Sequence, residues 1–152
     1  MGLLDNLKTI VDGASKSLPP PDTPASNKVL IVEDDRDISD AITAVLSSSG
    51  LVVTQAENGQ AGLDMAKKLN PNVILLDINM PIMDGISMLR ELRQLPQFKN
   101  LPIIILTNAG NIDNLRSAKT FYGVSDFLIK SNIEMDELIA KIKTLLPHSH
   151  TS

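Results

Sequence analysis

Val29-Leu30-Ile31-Val32-Glu33-Asp34-Asp35 is a run of four aliphatic residues broken off by three acids. An apolar run with no alternation fits a strand covered on both faces, the situation of strands in a parallel sheet. The pattern returns at Val73–Leu76 before Asp77, Ile103–Leu106 before Thr107 and Phe127–Ile129 before Lys130, with a further run at Leu51–Thr54. Five strands are therefore expected.

Between them the apolar period changes from continuous to helical. Ile38/Ile42/Val45/Leu46 mark a first helix, Ala61/Leu63/Ala66/Leu69 a second and Ile86/Leu89/Leu92 a third. Ile112/Leu115/Lys119 with Phe121 and Tyr122 mark a fourth, and Met135/Leu138/Ile139/Ile142/Leu145 a fifth. Gly50, Asn58-Gly59, Pro71, Gly110, Gly123 and Pro147 punctuate helix ends and turns. Strict alternation of strand and helix implies an α/β, doubly wound, five-stranded parallel sheet with right-handed crossovers and helices on both faces. Open sheets of this kind hold their reactive crevice at the carboxyl ends of the strands.

Those ends carry Glu33-Asp34-Asp35, Asp77, Thr107 and Lys130. Carboxylates gathered from two strand ends repel unless a positive charge sits among them, and a hard divalent ion with oxygen ligands meets that need, Mg²⁺ best of all. Helix capping is the plainer account of such acids and suits Asp35 or Asp37, but it leaves Lys130 and Thr107 unexplained. Other chemistries are removed by composition. The chain has no cysteine, so disulfides, thiolate metal sites and cysteine nucleophiles are absent. Its two histidines, His148 and His150, fall in the last five residues, where a solvated tail is the expected role. A net charge of -4 argues against a nonspecific nucleic-acid surface, which needs a basic excess.

The remainder of the 152 residues divides into three. Residues 1–13 read as an N-terminal amphipathic helix with Leu3, Leu4, Leu7, Ile10 and Val11 on one face and Gly13 at its end. Such a short helix is marginal alone and is expected to be ordered only when that face is buried, by a protein partner or self-association before a membrane surface. One lysine against two aspartates gives no attraction to anionic lipid. Residues 14–27, with four prolines among small polar residues, read as a linker reaching about 40 Å when extended at about 3.1 Å per residue. Residues 148–152 read as a disordered tail, and the compact domain is expected at 28–147. Met1-Gly-Leu-Leu-Asp5 has neither the basic start nor the unbroken apolar core of a signal peptide, so cytoplasmic residence is expected.

The stretch from Lys28 to Leu146 resembles the response-regulator receiver domain of two-component signalling. The residues that carry the likeness are Val29-Leu-Ile-Val-Glu33-Asp34-Asp35, Leu75-Leu-Asp77-Ile-Asn-Met-Pro81 with Met83-Asp84-Gly85, Ile105-Leu-Thr107 and Phe127-Leu-Ile-Lys130. The resemblance implies a flavodoxin-like strand order 2-1-3-4-5. It implies that Asp77 accepts a phosphoryl group from a histidine kinase or phosphotransfer protein. Glu33, Asp34, Asp77 and the backbone carbonyl of Asn79 would hold Mg²⁺, and Lys130 would neutralise phosphoryl oxygens. Thr107 and Phe127 would form the switch that alters binding of an output protein. No output domain is expected, since six residues follow Leu146.

Two departures from the family pattern stand out. Ser131 follows Lys130 where a proline is usual, so a trans bond is expected there. Asn108 is larger and more polar than the small residue common beside the threonine. Two rivals remain. An aspartyl-phosphate hydrolase would carry a second acid two residues past its nucleophile, and position 79 is asparagine. A receiver-like module that docks partners without phosphorylation normally lacks one of the acids, the lysine or the threonine, and all are here. The protein is accordingly expected to be a phosphoryl acceptor and not a turnover enzyme.

Overall fold

The structure is a computed structural model that describes residues 27–108 and 122–147. The N-terminal helix and linker expected before residue 27, most of the fourth helical segment, and the tail at 148–152 lie outside the described residues.

Five parallel strands, β1 (Lys28–Val32), β2 (Val52–Ala56), β3 (Val73–Asp77), β4 (Ile103–Thr107) and β5 (Asp126–Ile129), form one sheet in the order β2-β1-β3-β4-β5. Four described helices of more than one turn accompany them: α1 (Arg36–Ser48), α2 (Gly59–Leu69), α3 (Gly85–Arg93) and α4 (Met135–Leu145). The central strands β3 and β4 are buried along their whole length, as their unbroken apolar character requires.

Alternate residues of each central strand feed two separate cores. Leu30, Val32, Ile74, Leu76, Ile103 and Ile105 pack with Leu63 and Ala66 of α2 and Met88, Leu89 and Leu92 of α3. Val29, Ile31, Val73, Leu75, Ile104 and Leu106 pack on the other face with Ile42 and Leu46 of α1 and Leu138 and Ile142 of α4. The two-residue period of the strands thus meets the apolar stripe of a helix on each side.

Three helices begin on a side-chain cap, each contributing about 1 kcal/mol. Asp35 Oδ1 accepts from the amides of Asp37 and Ile38, Asn58 Oδ1 from Ala61 and Asp84 Oδ1 from Ser87. Asp35, not Asp37, therefore caps α1.

The second strand runs Val52–Ala56, one residue later at its start and two at its end than its apolar run. Leu51 closes α1 instead, its amide donating to Leu46 O. Gln55 extends the strand because β2 is at the sheet edge, where its side chain reaches Asp40 and Thr43 on α1. Two short 3₁₀ turns, Pro96–Phe98 and Lys130–Asn132, were not legible in the periodicity. No cis peptide occurs among the described residues, so the Lys130–Ser131 bond is trans as expected. No described helix is long and apolar enough to cross a membrane.

Candidate functional site

The strand register brings the polar strand ends to one edge of the sheet. Asp77 is the last residue of β3 and lies opposite Leu106, so Thr107 ends β4 one step further on. Thr107 in turn pairs with Ile129, which leaves Lys130 as the first residue beyond β5. Glu33 directly follows β1 and its amide donates to Ala56 O of β2. Four residues dispersed over about a hundred positions are therefore placed by the ladder itself.

Lys130 joins the carboxylates. Its Nζ is 2.9 Å from Glu33 Oε2 and 3.0 Å from Asp77 Oδ1, and donates to Glu33 Oε1 at 3.2 Å. The Glu33 side chain is fully buried and that of Asp77 nearly so, while Lys130 keeps 16% of its side-chain surface. Glu33 Oε1 also accepts from the Asp35 amide at 3.0 Å. Burial opposes the charge on Lys130, but its hydrogen bonds to Glu33 and Asp77 outweigh that and hold its pKa above the ordinary lysine value. Burial also pushes Glu33 up to about 7, against the lowering effect of the Asp35 amide and Lys130.

Asp34, exposed beside this pair, completes a group in which Glu33, Asp34 and Asp77 each offer a carboxylate oxygen within 4.8 Å of the others. The ammonium is paired with two of these three carboxylates. Moreover Asp77 Oδ2 is buried with no hydrogen-bond donor, and Glu33 Oε2 has only the Lys130 ammonium beside it. Buried acceptors are rarely left so, and an oxygen-seeking cation is the partner that their chemistry suits.

Thr107 is buried at the same edge, but its hydroxyl donates to Asn108 O at 3.3 Å and not to a carboxylate. Asn79, in the loop after β3, is exposed. Phe127 is half-buried opposite Ile105 and packs against the core shared with α2 and α3, below the edge that carries the acids. The N-terminal residues Leu3, Leu4, Leu7, Ile10 and Val11 lie outside the described residues.

One residue that positions the site, Gly85, stands in the sequence only as the end of the Met83-Asp84-Gly85 motif. A Cβ on Gly85 would stand 2.2 Å from the carbonyl oxygen of Asp77 and 2.9 Å from Ile78 Cα, and its amide donates to Ile78 O at 2.9 Å. The loop that leaves Asp77 is thus folded back onto the start of α3. Gly59 is a second close approach: its amide donates to Met83 O at 2.8 Å, where a Cβ would meet that oxygen at 2.4 Å. Both glycines were visible, but which backbone each touches was not.

A five-stranded 2-1-3-4-5 sheet with an acid cluster and lysine at its carboxyl edge defines a receiver domain. The chain belongs to that family: the model for the response regulator receiver domain matches residues 29–143. Among curated proteins it is 35% identical over 122 residues to the transcriptional regulatory protein PrrA of Mycobacterium leprae, covering 80% of this chain and 51% of that one. It is 37% identical over 122 residues to the cell cycle transcriptional regulator CtrA of Caulobacter vibrioides, again covering 80% and 51%. The chain thus spans about half the length of these relatives. Among solved structures, a putative response regulator from Chloroflexus aurantiacus superposes with a TM-score of 0.72 at 31% identity, covering 80% of this chain and 98% of that one. The chemotaxis response regulator CheY4 of Vibrio cholerae superposes with a TM-score of 0.72 at 29% identity, covering 80% and 100%.

Proposed function

We propose that the protein is a phosphoacceptor response regulator in which Asp77 takes a phosphoryl group from a phosphohistidine of a sensor kinase or phosphotransfer protein. The observation that carries this reading is the buried Asp77 carboxylate, with one oxygen on Lys130 and the other without a donor. In the transfer an Asp77 oxygen forms the new bond to phosphorus, the phosphorus–nitrogen bond breaks, and histidine leaves as the neutral imidazole after protonation. The product is an acyl phosphate.

Lys130 stays within reach of Asp77 and offsets charge on the incoming phosphoryl oxygens. Glu33 also holds that ammonium in place and is itself oriented by the Asp35 amide. Glu33, Asp34 and Asp77, with the Asn79 carbonyl that the family pattern adds, would hold Mg²⁺. When bound, that ion supplies neutralisation of phosphoryl charge. Thr107 would exchange its bond to the Asn108 carbonyl for one to a phosphoryl oxygen, and Phe127 would follow into the vacated space. The surface of the fourth helical segment, β5 and α4 would then change its affinity for an output protein. The chain so acts as a phosphoryl acceptor in the cytoplasm, where its ATP-dependent donors work, and its N-terminal segment tethers it to a protein assembly.

The test is labelling by acetyl phosphate. The unsubstituted protein should form a base-labile phosphoprotein only with Mg²⁺, and Asp77→Asn should not. Equal labelling of Asp77→Asn refutes the assignment.

A further inference from the structure

The loop after Asp77 bears a conformational outlier that the phosphoacceptor chemistry does not use. Ile82 has φ +69°, a value that β-branched residues adopt only under strain. Across it the Met83 amide donates to Pro81 O at 2.7 Å, which makes Ile82 the apex of a three-residue turn with positive φ, the rare form of that turn. Its side chain joins neither apolar core among the described residues. At 82% exposure, it is the one large apolar side chain left in the open among the described residues. Glycine would fit that backbone without strain and asparagine with less of it, and neither would leave apolar surface in water. Strain retained at an exposed position beside a reactive group is a mark of function and not of folding.

Position says what the side chain meets. Ile82 is five positions after Asp77, so the two Cα atoms are at most about 18 Å apart, and the bond from the Gly85 amide to Ile78 O folds the loop to less than that. A protein that brings a phosphohistidine to the buried Asp77 must cover the carboxyl edge of the sheet. A standard contact of about 800 Å² on one partner reaches about 16 Å from its centre, far enough to take in this loop. The rim it would cover is acidic on balance, with Asp34, Asp35, Asp37 and Asp84 all exposed and the intervening Arg36 paired with Glu57.

Resting on the phosphoacceptor reading, we propose that Ile82 is a docking residue for the phosphodonor protein. It enters an apolar pocket beside the donor's phosphohistidine, with basic donor residues facing the acidic rim. The γ-turn holds the side chain outward for that contact.

The experiment compares Ile82→Asn and Ile82→Leu with the unsubstituted protein, using two donors. One is acetyl phosphate. The other is whichever of the native host's purified histidine kinases, autophosphorylated with ATP, labels the unsubstituted protein fastest. Ile82→Asn should raise the thermal midpoint, leave labelling by acetyl phosphate unchanged, and lower kcat/KM for the kinase at least tenfold through KM. Ile82→Leu should keep most of the kinase transfer. Undiminished transfer to Ile82→Asn overturns the proposal, as does an equal loss in Ile82→Leu or a parallel loss with acetyl phosphate. So does a protein that acetyl phosphate labels and no kinase does. Failure of acetyl phosphate to label the unsubstituted protein is a different result, which removes the phosphoacceptor reading itself.

Discussion

Glu33→Gln, studied without divalent metal across the pH range, tests the electrostatics of the acid cluster. In the folded, metal-free domain Glu33 has its pKa pushed from 4.5 to about 7, chiefly by burial. The fold therefore binds the proton more tightly than the unfolded chain does. This contribution is fully present below about pH 4.5 and is lost as pH rises through about 7. The difference corresponds to roughly 3 kcal/mol at about 1.4 kcal/mol per pH unit. Glutamine keeps the shape and is neutral throughout, so it removes the titration of Glu33 together with its ion pair to Lys130. Urea unfolding in EDTA should show the variant gaining on the unsubstituted protein between pH 4.5 and 8, by about 1–3 M in midpoint at urea slopes of about 1–3 kcal/mol/M. Saturating Mg²⁺ should narrow that gap, because a bound cation favours the ionised carboxylate, and Mg²⁺ affinity should weaken below about pH 7. Midpoints for the two proteins that run parallel from pH 4.5 to 8 would refute the reasoning, since they would show Glu33 titrating alike in both states.

Gly85→Ala should cost several kcal/mol and slow labelling by acetyl phosphate, because its Cβ would displace the Asp77 carbonyl from 2.2 Å; thermal unfolding and a labelling time course read both. Arg93→Met should lower stability by about 2–4 kcal/mol in chemical denaturation without altering labelling, since the guanidinium donates to the carbonyls of Tyr122, Phe98 and Gly123 and joins the chain before β5 to α3. Deleting residues 2–12 should leave labelling unchanged and abolish self-association or partner binding in sizing experiments, whereas loss of liposome co-sedimentation alone would favour a membrane role.

The fold was legible because its cause is local and repeated. Val29–Val32, Val73–Leu76 and Ile103–Leu106 are apolar on both faces, and only a sheet sandwiched between helices buries both. The edge strand β2 was placed less well, since Gln55 belongs to it by virtue of a partner on α1 that no periodicity announces. The acids and the lysine could be read as the members of one site because each stands at the end of an apolar run. Their charges, however, depend on distances between residues nearly a hundred positions apart.

The amino-acid sequence by itself determined the parallel α/β architecture, its strand ends and the candidate residues Glu33, Asp34, Asp77, Thr107 and Lys130. The tertiary structure alone decided how they relate. It put Glu33 and Asp77 on one ammonium and left Asp77 Oδ2 without a donor. It turned the Thr107 hydroxyl toward the Asn108 carbonyl and set Phe127 into the core below the edge. It also forced Ile82 into a left-handed conformation in the open. Periodicity records which face of an element is apolar, a property of neighbours in the chain. Hydrogen-bond direction, desolvation and backbone strain arise only once distant segments share a boundary, so they become visible only in the folded chain.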